Sequence, residues 1–163
     1  MRVCGRCIAV VAALAWAVPA LPAPPCTVAS GAADGRVGMA AGCFVKQGAR
    51  LLVVRHRYSG KLGVPAGFSD AAESAQCTAH RETWEEAGLV VEVGGLLKKF
   101  GNGFLLYRCR TLDAPPLREP PARGSMEISA VLWVEPASTD AAEWRFNWQY
   151  PELMRLFREE PGS

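Results

Sequence analysis

The sequence is short of histidine, of net charge and of apolar runs long enough to cross a membrane. Only two histidines occur among 163 residues, and His56 has no partner at a spacing that suggests a shared metal ion. The apolar run Ile8 to Val18 holds eleven residues, whereas a spanning helix needs roughly 20. Neither a repeat nor a low-complexity tract follows it. These absences argue against a histidine metal centre, a stable membrane span and a repeat architecture.

The first 23 residues have the three-part pattern of a secretory signal: Arg2 and Arg6, the apolar run, then a small, Pro-rich stretch around Val18-Pro19-Ala20 and Leu21-Pro22-Ala23. The expectation is an exported chain, periplasmic or secreted. Setting these residues aside leaves 16 basic against 16 acidic side chains. A neutral domain is a poor general nucleic-acid binder, so no nucleic-acid partner is expected. Cys4 and Cys7 leave with the signal. No pair among Cys26, Cys43, Cys77 and Cys109 has CxxC spacing, which argues against zinc and against a redox dithiol. Buried thiols and up to two disulfides, in any of three pairings, both remain open.

What is present is enough apolar residue, 50% of the chain, for one sizeable core. Residues 38–46 and 50–57 read as a hairpin across Gln47-Gly48-Ala49. Tyr58 to Gly63 reads as a polar loop, and Val64 to Gly67 as punctuation before a helix from Ser74 to Ala87, with Gly88 as its stop. Two further strands, 89–100 and 104–110, meet at Gly101-Asn102-Gly103. A Pro-rich loop over 111–125, a strand over Ile128–Val134 and a last helix starting at Pro151 complete the pattern. In that helix Leu153, Leu156 and Phe157 recur at helical spacing. The fold class is α+β, with two helices flanking a mixed sheet.

The helix ends strangely. Glu82, Glu85 and Glu86 fall within about 100° of one another on a single face. Such pairs repel by roughly 0.2–0.5 kcal/mol each, and the carboxylates crowd the helix's negative pole. One turn earlier, Ala75, Thr78 and Ala79 leave space on that face. A solvated acidic face is the plain alternative, but the surrounding frame points elsewhere. Gly67, Glu73, Arg81, Glu82, Glu85, Glu86 and Gly88 stand at the fixed positions of a 23-residue signature ending at Leu89, and the segment resembles the box of the Nudix hydrolases. The compatible strand pattern extends the resemblance over residues 36–160. Ala66 and Ala72 depart from it, standing where glycine is common and placing the loop's path in question. Thr83 departs too, at a position usually aliphatic.

The resemblance implies an α/β/α sandwich and hydrolysis of diphosphate (phosphoanhydride) bonds with Mg²⁺, or Mn²⁺, held by Glu82, Glu85 and Glu86. Glu82 or a loop carboxylate would activate water. Arg81 would orient the cluster, and Glu73 would brace the loop or reach the metal through water. Glu127 stands where the family often supplies a further carboxylate, and Glu119 is a weaker candidate. The remaining candidates for substrate contact are Arg55, His56, Arg57 and Lys61, with Trp144, Phe146 and Trp148 as stacking surfaces. The run Ser74 to Ala79, together with the signal, is similar to exported bacterial members. The expected substrate is a nucleoside diphosphate linked to another group. A silent nucleotide-sensing or interaction module and a hydrolase of lipid or isoprenoid diphosphates are the alternatives.

Overall fold

The structure, a computed structural model, describes residues 24–112 and 126–161. The signal segment and Glu119 therefore lie outside the described residues. In chain order the strands are β1 (Thr27–Val28), β2 (Ala40–Gln47), β3 (Arg50–His56), β4 (Leu62–Gly63) and β5 (Ala66–Phe68). Helix α1 (Ala75–Ala87) follows, then β6 (Val91–Lys99), β7 (Leu105–Thr111), β8 (Ile128–Val134) and α2 (Tyr150–Glu159). No helix among the described residues is long and apolar enough to cross a membrane.

The sheet runs β1-β6-β7-β2-β3-β4, with β5 also on β2 and β8 also on β3. The β1–β6 and β2–β7 pairs are parallel and the others antiparallel, which is the expected mixed sheet. Alternating side chains go to opposite faces. Cys43, Val45, Leu52, Val54, Tyr107 and Cys109 join Ala75, Ala79 and Ala87 of α1 in one core. Phe44, Leu51, Val53 and Leu106 join Leu153 and Leu156 of α2 in the other. Two cores on two faces make the α/β/α sandwich. Thr27 and Val28 add a strand ahead of residue 36, where the sequence pattern places the domain's start.

Both ends of α1 are built as its sequence implies. Ser74 accepts from the Cys77 amide at 3.2 Å, and Gly88, at φ 68°, donates to the Trp84 carbonyl at 2.9 Å. The segments read as a loop and as punctuation are different: Leu62–Gly63 and Ala66–Phe68 are strands. Their local signal is weak because tertiary pairing makes them. Ala66 and Gly67 pair with Gly42 and Ala41 of β2, and a β-carbon on Gly42 would lie 2.5 Å from that of Ala66. The last helix begins at Tyr150, one residue ahead of Pro151.

This pairing opens the sheet. β2 and β3 pair only beside their turn, at Lys46–Leu51 and Gln47–Arg50. Beyond it, β2 takes β5 as partner while β3 takes β4. A cleft of about 350 Å³ lies between the diverging arms, lined on one side by Ala40, Ala66 and Gly67 and on the other by His56, Leu62 and Gly63.

Disulfides close the cysteine question. Cys26 bonds to Cys77, tying the N-terminal segment to α1. Cys43 bonds to Cys109, joining β2 to β7 across their parallel pairing.

Candidate active site

Arg81 organises the acidic end of α1. Its Nη1 donates to Glu82 Oε1 at 2.8 Å and to Glu85 Oε2 at 3.0 Å. Nε and Nη2 grip both oxygens of Glu73 at 3.1 and 3.0 Å, and Nη2 also reaches the Phe68 carbonyl at 2.8 Å. The guanidinium thus bolts the β5–α1 loop to the helix. Successive residues of a helix point about 100° apart, and Arg81 still reaches Glu82 because its long side chain folds back along the helix. Glu73 also accepts from Thr78 Oγ1 at 2.9 Å. Burial opposes its ionisation, but the Arg81, Asp70 and Thr78 hydrogen bonds prevail and hold its carboxyl below the usual range.

Gly67 is fixed by Glu82. A β-carbon there would lie 2.2 Å from the Glu82 carboxyl carbon, so a residue with a side chain would displace that glutamate. Ala66 needs no glycine, since it sits in β5, and its amide donates to Glu86 Oε2 at 2.9 Å. Ala72 keeps the loop's path by adopting φ 64°, the one positive value at a non-glycine among the described residues. That conformation costs a residue with a β-carbon about 1–2 kcal/mol. Thr83 is buried, and its hydroxyl donates to the Ala79 carbonyl at 2.7 Å.

The carboxylates differ in environment. Glu85 is half-exposed. Burial raises the Glu82 carboxyl above its ordinary value, against the pull of Arg81 and with Glu85 and Glu73 adding to the rise. Glu86 is 6% exposed. Burial pushes its carboxyl up to about 8, the Ala66 amide only partly offsetting it, and Glu82 and Glu127 push the same way. Glu127 lines the cleft. Arg81 lies between Glu82 and Glu85, and among the described residues no three carboxylate, imidazole or thiolate side chains are gathered into a ready-made metal site.

Of the basic candidates only His56 lines the cleft. Arg55 donates to Gly60, Arg57 to Met126 and Ile128, and Lys61 to Ala142, so these three hold loops. Trp144 and Phe146 line the cleft, whereas Trp148 packs edge-on against Phe100 at 5.7 Å. Arg145, Gln149 and Phe68 also line it, and sequence reasoning missed all three. Arg145 Nη1 lies 3.4 Å from His56 Nδ1. Its position between two aromatics was the available signal.

The family model described as NUDIX domain matches residues 36–157. The chain belongs to the Nudix family. A MutT-like protein of Streptomyces ambofaciens is 33% identical over 101 residues, 59% of this chain and 62% of that protein. The chain thus spans less than two thirds of that Nudix relative's length. A NUDIX hydrolase from Nitrosomonas europaea superposes with TM-score 0.62 at 24% identity, over 77% of this chain and 72% of that one. An ADP-ribose pyrophosphatase from Streptococcus suis gives TM-score 0.59 at 18% identity, over 77% and 96%. At these identities the two structures establish the shared Nudix fold.

Proposed function

We propose that this Nudix chain is a divalent-metal-dependent hydrolase that cuts the diphosphate bond of a nucleoside diphosphate linked to another group. The observation that carries the reading is the complete set of box acids, Glu73 in the loop and Glu82, Glu85 and Glu86 on α1, set against β5 at the edge of a cleft. The donors suit the metal. Glu82, Glu85 and Glu86 offer only carboxylate oxygen, the chemistry Mg²⁺ and Mn²⁺ prefer. Burial is the main cause that raises two of the three carboxyls, with Glu85 and Glu73 adding to the rise at Glu82, and Glu82 and Glu127 at Glu86; a bound cation would offset that cost.

These three glutamates would hold the cation, which neutralises charge on the diphosphate and makes water a better nucleophile when bound. The chain's own groups do the rest. Arg81 fixes Glu82 and Glu85 relative to the loop. Glu82 or Glu127 accepts the proton of the attacking water. Arg145, across the cleft, offers a cation to a phosphate oxygen, and the diverging strands confine the group beyond it. The structurally similar ADP-ribose pyrophosphatase of Streptococcus suis is compatible with a nucleotide-linked substrate. A second reading, an isoprenoid or lipid diphosphate, draws support from the apolar cleft residues Leu62, Val64, Phe104 and Leu153.

We further propose export to an oxidising compartment. Two disulfides support it, since cytosolic thiols are normally kept reduced, and the pattern of residues 1–23 agrees.

The test is product release from a panel of sugar nucleotides, dinucleotides and prenyl diphosphates, with and without Mg²⁺. Metal-dependent turnover that falls on the order of 10²-fold or more in Glu85→Gln or Glu86→Gln supports the hydrolase. Nucleotide binding with no turnover in any metal would instead establish a sensing module.

A further inference from the structure

Two glutamines are buried in this protein, and they are treated in opposite ways. Gln76, 3% exposed, is fully used: it accepts from the Asp34 amide at 3.2 Å and donates to the Ala32 and Gly94 carbonyls at 2.9 and 3.0 Å. Gln149, 6% exposed, donates its backbone N–H to Phe146 at 2.8 Å. Its side-chain amide has no hydrogen-bond partner among the described residues, and it lines the cleft. Its polar atoms are not sealed from solvent as His80 Nε2 is. Open to solvent at the cleft wall and unclaimed by the described protein groups, this amide can give both its donor and its acceptor to a ligand.

The neighbours of Gln149 define the ligand's shape. Phe146, three residues earlier and half-exposed, lines the same cleft, as do Phe104 and the exposed Phe68. Trp144 Nε1 already donates to Thr139 Oγ1 at 3.1 Å, so its ring offers the cleft a face rather than a donor. Flat aromatic surfaces suit a flat ring. A primary amide places one donor and one acceptor side by side, and a nucleobase edge presents the complementary pair.

We infer that Gln149 is a specificity-determining residue that reads the hydrogen-bonding edge of a nucleobase held among Phe68, Phe104 and Phe146. This rests on the hydrolase reading of the acidic cluster and assigns the residue that recognises the nucleoside part of its substrate. An isoprenoid chain in the same cleft would seal the amide without a partner, so Gln149 counts against the lipid alternative. Adenine and uracil both carry an adjacent donor and acceptor, and the ligand class covers both.

Calorimetric titration of the full chain with AMP, UMP, ribose 5-phosphate and geranyl monophosphate separates these cases. AMP or UMP binds more tightly than ribose 5-phosphate and than geranyl monophosphate. Gln149→Met, which keeps length and shape, removes about 5- to 150-fold of that advantage while leaving ribose 5-phosphate unaffected. Gln149→Glu exchanges the donor for a second acceptor and adds a negative charge, and it changes the ratio between the two bases when each is compared with ribose 5-phosphate. Circular dichroism confirms that both variants are folded. In turnover of ADP-ribose, the same losses appear in KM rather than in kcat. Equal affinity for nucleotides and ribose 5-phosphate in the unaltered chain, tightest binding of geranyl monophosphate, or indifference of AMP and UMP to both substitutions would overturn the inference. If base-dependent binding stands but no diphosphate is cut, the hydrolase reading fails alone. If diphosphates are cut with no dependence on the base, this inference fails alone.

Discussion

Glu86 is buried beside Glu82 and within the field of Glu127, with one backbone amide for support. In metal-free protein this carboxylate works against folding. Its raised folded-state pKa means that stability drains away as pH climbs from the ordinary glutamate range through about 8. Glu86→Gln keeps shape and removes the charge, so it is expected to raise the metal-free Tm at pH 8, by about 3–5 °C for each kcal/mol relieved, while abolishing turnover. Differential scanning calorimetry checks the first half and product release the second. His80 shows the opposite sign. Burial lowers its pKa and its Nε2 has no partner, so the unfolded chain takes up the proton first. The associated stability is complete above about 6.5, the unfolded value, and is lost as pH falls below it. His80→Leu should therefore flatten the fall in Tm between pH 7 and pH 5, and an unchanged fall would show that His80 is not its source. Neither property was legible in the residue's identity. It took the fold to show which glutamate is sealed and which histidine is orphaned.

At the scale of elements, α1 was the most legible part of the chain, because its limits are local: a serine that caps, a glycine that stops, and acids at fixed intervals between them. β4 and β5 were illegible for the converse reason. They are two and three residues long, too short for a periodic pattern, and owe their form to pairing, β4 with the end of β3 and β5 with β2 more than 20 positions back in the chain. The cleft inherits that difficulty, since it arises where β2 and β3 part company, and Arg145 and Gln149 enter it from a tight turn and from the single helical turn Asn147–Gln149, with no periodic signature. The β5–α1 loop depends on the fork of Arg81. Lysine carries the same charge but cannot serve Glu73, Glu82, Glu85 and the Phe68 carbonyl at once. Arg81→Lys is expected to lower kcat about 10- to 100-fold with a change in Tm of only a few degrees. An unaltered kcat would show that the loop does not need the clamp.

For the whole molecule, the cysteines carry the information that sequence spacing could not. The two disulfides join positions separated by 51 and 66 residues, and chain-entropy arguments give each about 4 kcal/mol of stabilisation at most. A domain of ordinary stability, roughly 5–15 kcal/mol, depends heavily on such links. Reduction under native conditions should lower the urea midpoint markedly, and re-oxidation should restore it. A midpoint indifferent to reductant would remove the main structural support for export. The two-faced sheet, by contrast, was legible: residues 38–46 and 50–57 are near-continuous apolar runs, as strands covered on both faces are, and two helices were available to cover them.

The central claim is that the end of α1 holds a divalent cation for diphosphate chemistry. Mn²⁺ titration followed by electron paramagnetic resonance, on the unaltered chain and on the triple variant Glu82→Gln, Glu85→Gln, Glu86→Gln, addresses it directly. The account predicts saturable loss of the free-ion signal in the first and none in the second. Equal binding by both proteins, or by neither, would contradict it.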